Sequence, residues 1–455
     1  MLLLKNCYYV ATFDENDREL RNVDIYIENN RIKRIGRDFR VETDLTVQVY
    51  DCSNLVIIPG LVNTHHHFFQ VLTRNYPPVQ NAKLFDWLVN LYRVWKHIDE
   101  EAIYYSSLIV MAELLKTGCT LTSDHHYLYP EGVKEIFDIQ IDAAKKMGIR
   151  TALTRGSMTM GESNGGLPPD SICQDTDTVI KDSQRVIEKF HDPSPFSMTR
   201  VILAPCSPFN VEEKTMVESE KLARTYGVKL HTHLAETLDE EKYCLEKYGV
   251  RPFRYMEKLN WVGEDVFFAH GIWFNDDEMK LLAETKTGVA HCPTSNMRLG
   301  SGIARVKEMY NMGIPVSLAV DGSSSNDSSD MLGEVRNCML LQRVRYGNDA
   351  LTARDALKIA TKGGAKMLGF DSLGAIKEGY AADLIGINVR DFQFAGSLSD
   401  PLAAIVFTGF NHSVELNIVN GRVVVSKGKV VGLDEGELTE KVNRISSSLI
   451  NRVDA

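Results

Sequence analysis

The chain has 455 residues, 44% apolar and 25% charged, enough for one large globular core with a smaller appended domain and unlike a disordered chain. With 51 Lys plus Arg against 61 Asp plus Glu its net charge is -10, so the basic footprint of a nucleic-acid-binding protein is missing. No run approaches the ~18 apolar residues of a membrane span, the opening MLLLKNCYYVATF has no basic n-region, and the eight cysteines form no CxxC pair; a cytoplasmic protein without membrane or nucleic-acid partners is expected.

In chain order, CYYVATF from Cys7 and VDIYIENNRIKRIG from Val23, with a turn at Asn29-Asn30, alternate as a half-exposed sheet does. From Leu55 to Val320 a unit then repeats in kind though not in sequence: a short apolar run, a polar or Gly-rich break, and a helical pattern. The runs are NLVIIPGLV (54–62), GCTLTS (118–123), RTALT (150–154), RVILAP (200–205), VKLHT (228–232), VFFAH (266–270), TGVAH (287–291) and PVSLAV (315–320). Between them, segments such as EAIYYSSLIVMAELLKTG (101–118) and EKTMVESEKLARTYG (213–227) space apolar residues by three and four and end at glycine, as amphipathic helices do. Eight such alternations predict an α/β fold, a (β/α)8 TIM-like barrel over 57–370 that closes with a helical stretch at 355–369. Beyond it, AADLIGINV and VELNIVNGRVVVSKGKVV, with a hairpin turn at Asn420-Gly421, have the texture of the first strands. Residues 1–56 and 371–455 are therefore expected to build one small β-sandwich, the second piece carrying a C-terminal helix.

Of the twelve histidines, nine fall at or just past the end of a predicted barrel strand: His65, His66, His67, His125, His126, His231, His233, His270 and His291. The C-terminal strand ends form the active-site face of such a barrel. One histidine there is an ordinary hydrogen-bonding residue, but convergence from several strands is not explained by packing. His65 and His67 are two apart on an extended segment and point to the same side as a chelating pair, with His66 turned away. The alternation in HTHLAE turns His231 and His233 inward, and Glu236 follows where the strand gives way to its loop. Of His125 and His126 at least one is structural, because neighbours on a strand face opposite sides. Asp321 ends the apolar run SLAV, and a buried acid is costly unless it is paired or coordinates a cation. Imidazoles with a carboxylate suit Zn2+ or Fe2+, with a position left for solvent. Such an ion lowers the pKa of bound water from ~15.7 toward ~7, the chemistry a deaminase needs. Asp321 is then placed to take the water's proton, Glu236 to shuttle protons to a ring nitrogen and the departing amine, and His270 to hold developing charge.

The ordered set PGLVNTHHH, HTHLAET, FFAHGI, HCPTSNMRLGSGI and AVDGSSSND, which spans nearly the whole chain, resembles the amidohydrolase superfamily, and within it the branch of cytosine, guanine and s-triazine aminohydrolases. The resemblance implies metal ligands at His65, His67, His233 and Asp321, a catalytic proton shuttle at Glu236 and a catalytic histidine at His270. Binuclear members carry a bridging, carboxylated lysine at a middle strand end, whereas the third and fourth strands here end LTRGS and APCSPF. One divalent ion is therefore implied, Zn2+ ahead of Fe2+. The segments HHHFFQVLTRNYP, LFDWLVNLYRVW, SDHHYLYP and LTRGSMTMGESNGGLPPD are similar to those of 8-oxoguanine deaminases, with triazine aminohydrolases as near neighbours. This implies hydrolytic deamination of a small aminated heterocycle, 8-oxoguanine first and a triazine or pterin as alternative, by a homodimer or higher homo-oligomer.

Around the expected pocket, Gln70 offers a donor and an acceptor to an amide edge, and Arg74 a donor to a ring carbonyl. Cys206 and Asn296 lie just past strand ends. Each of these four is expected as either a substrate contact or a loop-stabilising hydrogen bond. The Gly-, Ser- and Pro-rich connection 157–175 reads as a lid over the mouth or as a subunit contact. The H-x-E and P-C-x-x-C motif of deaminases acting on polynucleotide bases does not occur. A non-catalytic scaffold that outlived its function would have no use for this ligand set together with Glu236.

Overall fold

The computed structural model describes residues 1–37, 47–408 and 413–453. Eight parallel strands run side by side in sequence order: Leu61–Asn63, Cys119–Thr122, Arg150–Ser157, Thr199–Pro205, Lys229–Leu234, Val266–His270, Gly288–His291 and Val316–Leu318. The last meets the first, where the Thr64 N–H donates to Leu318 O at 3.1 Å and the Asp321 N–H to His65 O at 3.1 Å. The Asn63 side chain completes the seam, its Oδ1 accepting the Val320 N–H at 3.0 Å. This closed (β/α)8 barrel is filled on the side away from its mouth by Val62, Leu121, Ala152, Ile202, Phe267 and Ala290. Helices surround the strands, as in Thr176–Phe190, which buries Val179, Ser183, Val186 and Ile187 on one face.

The expected single strand over 54–62 is two strands. Leu55–Pro59 belongs to the terminal sheets, antiparallel to Leu384–Asn388 and parallel to Tyr9–Val10, and only Leu61–Asn63 enters the barrel. The break falls at Gly60, where a Cβ would lie 2.1 Å from Thr120 Oγ1, so only glycine lets the chain cross that close to the second barrel strand. Both halves are wholly buried, and a continuous apolar run cannot reveal which sheet each joins.

The two terminal segments do form a sandwich. A four-stranded sheet of N-terminal strands faces a seven-stranded sheet that mixes both ends of the chain. Leu4, Ile25, Ile27, Ile57, Leu384 and Ile418 fill the space between. The Asn420-Gly421 turn has positive φ at both residues, 49° and 76°, as a two-residue hairpin requires. The C-terminal helix Glu435–Asn451 lies against the barrel. Its Glu435 pairs with Lys116 at 2.6 Å, and Ser446 donates to Leu72 O at 2.6 Å.

Sandwich and barrel are joined by a buried ion pair. Arg150, at the start of the third barrel strand, donates through Nε and Nη2 to the two oxygens of Asp383 at 3.0 and 2.9 Å. Asp383 in turn accepts the Asn420 N–H at 2.8 Å, and the Arg150 side chain is fully buried. Removing one member of such a pair leaves the other charge uncompensated. Asp383→Ala is expected to destabilise the protein by about 3–5 kcal/mol, read as a lowered denaturation midpoint. An unchanged midpoint would show that the pair does not hold the two parts together.

Candidate active site

At the barrel mouth, backbone carbonyls decide which ring nitrogen of each histidine carries a proton. A carbonyl oxygen only accepts, so His67 Nδ1, 2.7 Å from His125 O, and His233 Nδ1, 2.6 Å from Cys206 O, must both be donors. His231 Nδ1 likewise donates to Phe267 O at 2.9 Å, which leaves its Nε2 free to accept from His65 Nδ1 at 2.7 Å. The Nε2 atoms of His65, His67 and His233 therefore all present lone pairs. His67 Nε2 and His233 Nε2 face each other at 3.1 Å, and Asp321 Oδ1 lies 3.2 Å from His67 Nε2 and 3.5 Å from His65 Nε2. His65 Nε2 is fully buried and has no hydrogen-bond partner among the described residues. Facing acceptors with a carboxylate among them repel unless a cation sits between. The donor set is the one a divalent ion takes, with every ligating imidazole anchored through its other nitrogen. Burial keeps His65 and His233 far below the ordinary histidine range, in the neutral form that ligation needs.

Asp321, three residues past the eighth strand, and His270, the last residue of the sixth, occupy left-handed backbone, φ 64° and 71°, and Ala235, just before Glu236, has φ 54°. These turns swing the side chains back over the barrel axis. His270 Nδ1 donates to Asn296 Oδ1 at 3.0 Å, which aims Nε2 at Glu236 Oε2, 3.6 Å away, and at Asp321 Oδ2, 4.0 Å away. Burial opposes its charge, but these two carboxylates outweigh burial and raise the His270 pKa. Glu236 is pushed up, chiefly by burial, and accepts from Ser301 at 3.3 Å. Burial also opposes charge on Asp321, yet the adjacent His65 and His67 rings and the charge on His270 hold its carboxyl well below the usual carboxylate range. Ser295 donates to its Oδ2 at 2.6 Å.

His67, Gln70, Cys206, His233, Glu236, His270 and Asp321 open onto one cavity, walled by Leu84, Trp87, Leu88, Phe209 and Leu299. Gln70 reaches it past Gly322, where a Cβ would lie 1.9 Å from the Gln70 Oε1. Two expected pocket residues lie elsewhere. Arg74, carried away by the turn Phe68–Thr73, pairs with Glu113 of the helix Glu100–Lys116 at 2.6 Å and does not line the cavity. Asn296 also lies behind the wall, where it holds His270. His66 turns away to Ser329 at 3.0 Å. His125 faces inward, stacked on His233 at 4.7 Å, whereas His126 bonds to Leu128 O and packs on Phe69. His291 is buried, and neither ring nitrogen has a partner among the described residues. Tyr127, Asn210 and Ser325 also line the cavity, and sequence reasoning missed them. All three sit in irregular loops where no periodicity marks an inward face. The connection 157–175 is pinned at its base, the Thr159 and Met160 N–H groups both donating to Asn210 O at 3.1 Å.

The model of the Amidohydrolase family matches residues 56–424. The chain belongs to the amidohydrolase family. This amidohydrolase is 43% identical to an 8-oxoguanine deaminase of Pseudomonas aeruginosa over 426 residues, 94% of each chain. It is 37% identical to a hydroxydechloroatrazine ethylaminohydrolase of Pseudomonas sp., over 97% of its own length and 94% of that protein. Its structure matches the zinc complex of an atrazine chlorohydrolase from Arthrobacter aurescens with a TM-score of 0.92 at 30% identity, over 99% of this chain and 100% of that one. Among the described residues no helix is long and apolar enough to cross a membrane.

Because His231 fixes the His65 tautomer, His231→Phe is expected to weaken divalent-metal affinity about 10- to 100-fold in chelator competition. Native affinity in that variant would mean that the His65 tautomer needs no support from His231.

Proposed function

We propose that this amidohydrolase is a metal-dependent hydrolytic deaminase that converts 8-oxoguanine and water to urate and ammonia. The observation that carries the reading is the convergence of three imidazole lone pairs and the Asp321 carboxylate beside Glu236 and His270, at the floor of an apolar-walled cavity. His65, His67, His233 and Asp321 would hold one divalent ion, which supplies Lewis acidity and an activated water at neutral pH. Zn2+ is favoured by the zinc in the atrazine chlorohydrolase complex, and a cytoplasmic homo-oligomer is part of the same proposal. The apolar walls suit a flat ring, and the Gln70 amide suits its polar edge.

In the reaction the water oxygen adds to the amine-bearing carbon. Asp321 takes the first proton, and Glu236 passes protons to the ring nitrogen and then to the amine. His270, cationic between two carboxylates, stabilises the negative charge that develops on the oxygen. The C–N bond breaks, ammonia leaves, and a carbonyl stands where the amine was. The 43% identity to an 8-oxoguanine deaminase supports that purine, and the 37% identity to a triazine aminohydrolase keeps an amino-triazine as the second reading.

Ammonia release by the zinc-loaded protein, measured against 8-oxoguanine, guanine, cytosine, isoxanthopterin and a hydroxylated amino-triazine, tests the reading. A strong preference for 8-oxoguanine is expected, and failure on all five rings with metal bound would overturn it. Glu236→Gln is expected to keep its metal and lose at least 100-fold in kcat. Undiminished turnover would remove Glu236 from proton transfer. Glu236 acts as a carboxylate, and its pKa is raised, so activity should fall on the acid side as pH drops through a value above 4.5. A kcat/KM profile flat to below pH 4.5 would contradict that role.

A further inference from the structure

The cavity wall holds a polar group that none of the described residues satisfies. Asn210 is fully buried and lines the cavity, and its Oδ1 has no hydrogen-bond partner among the described residues. Its neighbours orient the amide. Nδ2 donates to Tyr92 Oη at 3.3 Å and lies 3.8 Å from Cys206 Sγ. The Tyr92 hydroxyl directs its own proton to Met158 Sδ at 3.6 Å, so its oxygen is left to accept. The Asn210 nitrogen therefore belongs on that side and the carbonyl oxygen on the other, where no described residue donates to it. The position is rigid as well, because Asn210 O takes the N–H groups of Thr159 and Met160, and the Asn210 N–H donates to Ser207 O at 3.2 Å. A second buried carbonyl in the same cavity, Gln70 Oε1, also lacks a partner. Two buried acceptors without donors among the described residues suit a ligand that brings two N–H groups.

We infer that Asn210 is a specificity-determining contact that accepts a ring N–H of the substrate. With Gln70 it selects heterocycles in their lactam or cyclic-urea form over rings whose edge nitrogens are bare or alkylated. The inference rests on the deaminase reading of this cavity and deepens it. A ring N–H satisfies the carbonyl. An N-methyl group leaves it unpaired and collides with it, and sites built to hydrogen-bond discriminate strongly on that basis. 8-Oxoguanine carries such an edge, two N–H groups flanking the carbonyl of its five-membered ring.

The test is equilibrium binding to zinc-loaded protein in the Glu236→Gln background, with 8-oxoguanine and its 7-methyl and 9-methyl derivatives, comparing Asn210 with Asn210→Leu. The leucine variant is expected to bind 8-oxoguanine about 10- to 100-fold more weakly. Its discrimination between ring N–H and N–CH3 should shrink by a similar factor for one derivative, a change that general loosening of the wall would not produce. Should Asn210→Leu fail to fold or to hold zinc, Asn210→Ser is read the same way. Unchanged affinity for 8-oxoguanine, an unchanged N–H to N–CH3 ratio, or no binding of any of the three rings would overturn the inference. Failure of the deaminase reading shows separately, as 8-oxoguanine that binds the zinc-loaded protein with Glu236 intact and releases no ammonia.

Discussion

The site depends on backbone carbonyls at the ends of the barrel strands, which take the Nδ1 protons of His67 and His233 and, through His231, settle the state of His65. No side chain has to be ionised for this. Strand geometry alone turns three imidazoles into lone-pair donors aimed at one point, and the barrel pays for their mutual repulsion by keeping the strands in register. His233 sits opposite Ala269 of the sixth strand, and the first and eighth strands are locked by reciprocal hydrogen bonds around His65 and Asp321. A cation at the centre converts that repulsion into binding, which links metal affinity to the integrity of the barrel mouth.

The acid and base groups are held by a different device. His270 and Asp321 leave their strands through left-handed backbone, a conformation that costs roughly 1–3 kcal/mol for a residue with a side chain. The surrounding contacts over-determine it: Asn296 holds the His270 ring, and Ser295 holds Asp321. Glu236 and His270 then sit as a buried pair whose proton affinities are both raised, Glu236 mainly by burial and His270 by its two carboxylate neighbours against the opposing effect of burial. Both face the same cavity, so each meets a bound ring from its own side without reorganising.

Outside this floor the wall is made by loops that differ in kind. Leu84, Trp87 and Leu88 come from a helix laid over the mouth, Phe209 and Asn210 from the turn after the fourth strand, and Leu299 from the segment after the seventh. A barrel that fixes its metal ligands by strand geometry leaves these positions free to set which ring is accepted.

Eight alternations of apolar run and helical pattern determined the barrel. The period-two spacing of His65 and His67 and of His231 and His233, with Asp321 closing its own apolar run, marked the mouth and the side chains turned into it, because strand alternation is a local property that sequence carries directly. The resemblance, not the spacing, chose His233 over His231 as a ligand. The terminal sandwich was legible for the same reason, through Asn420-Gly421 and the alternation around it. Tertiary structure alone decided the rest. Only three-dimensional closure shows that 54–62 divides at Gly60 between two sheets, since both halves are equally apolar. Whether a loop side chain faces the cavity depends on partners distant in sequence: Arg74 is drawn off by Glu113, Asn296 stands behind His270, and Asn210 is turned by Tyr92. Local pattern encodes which strands carry the chemistry. What the cavity presents to its ligand is set by contacts between segments that no periodicity links.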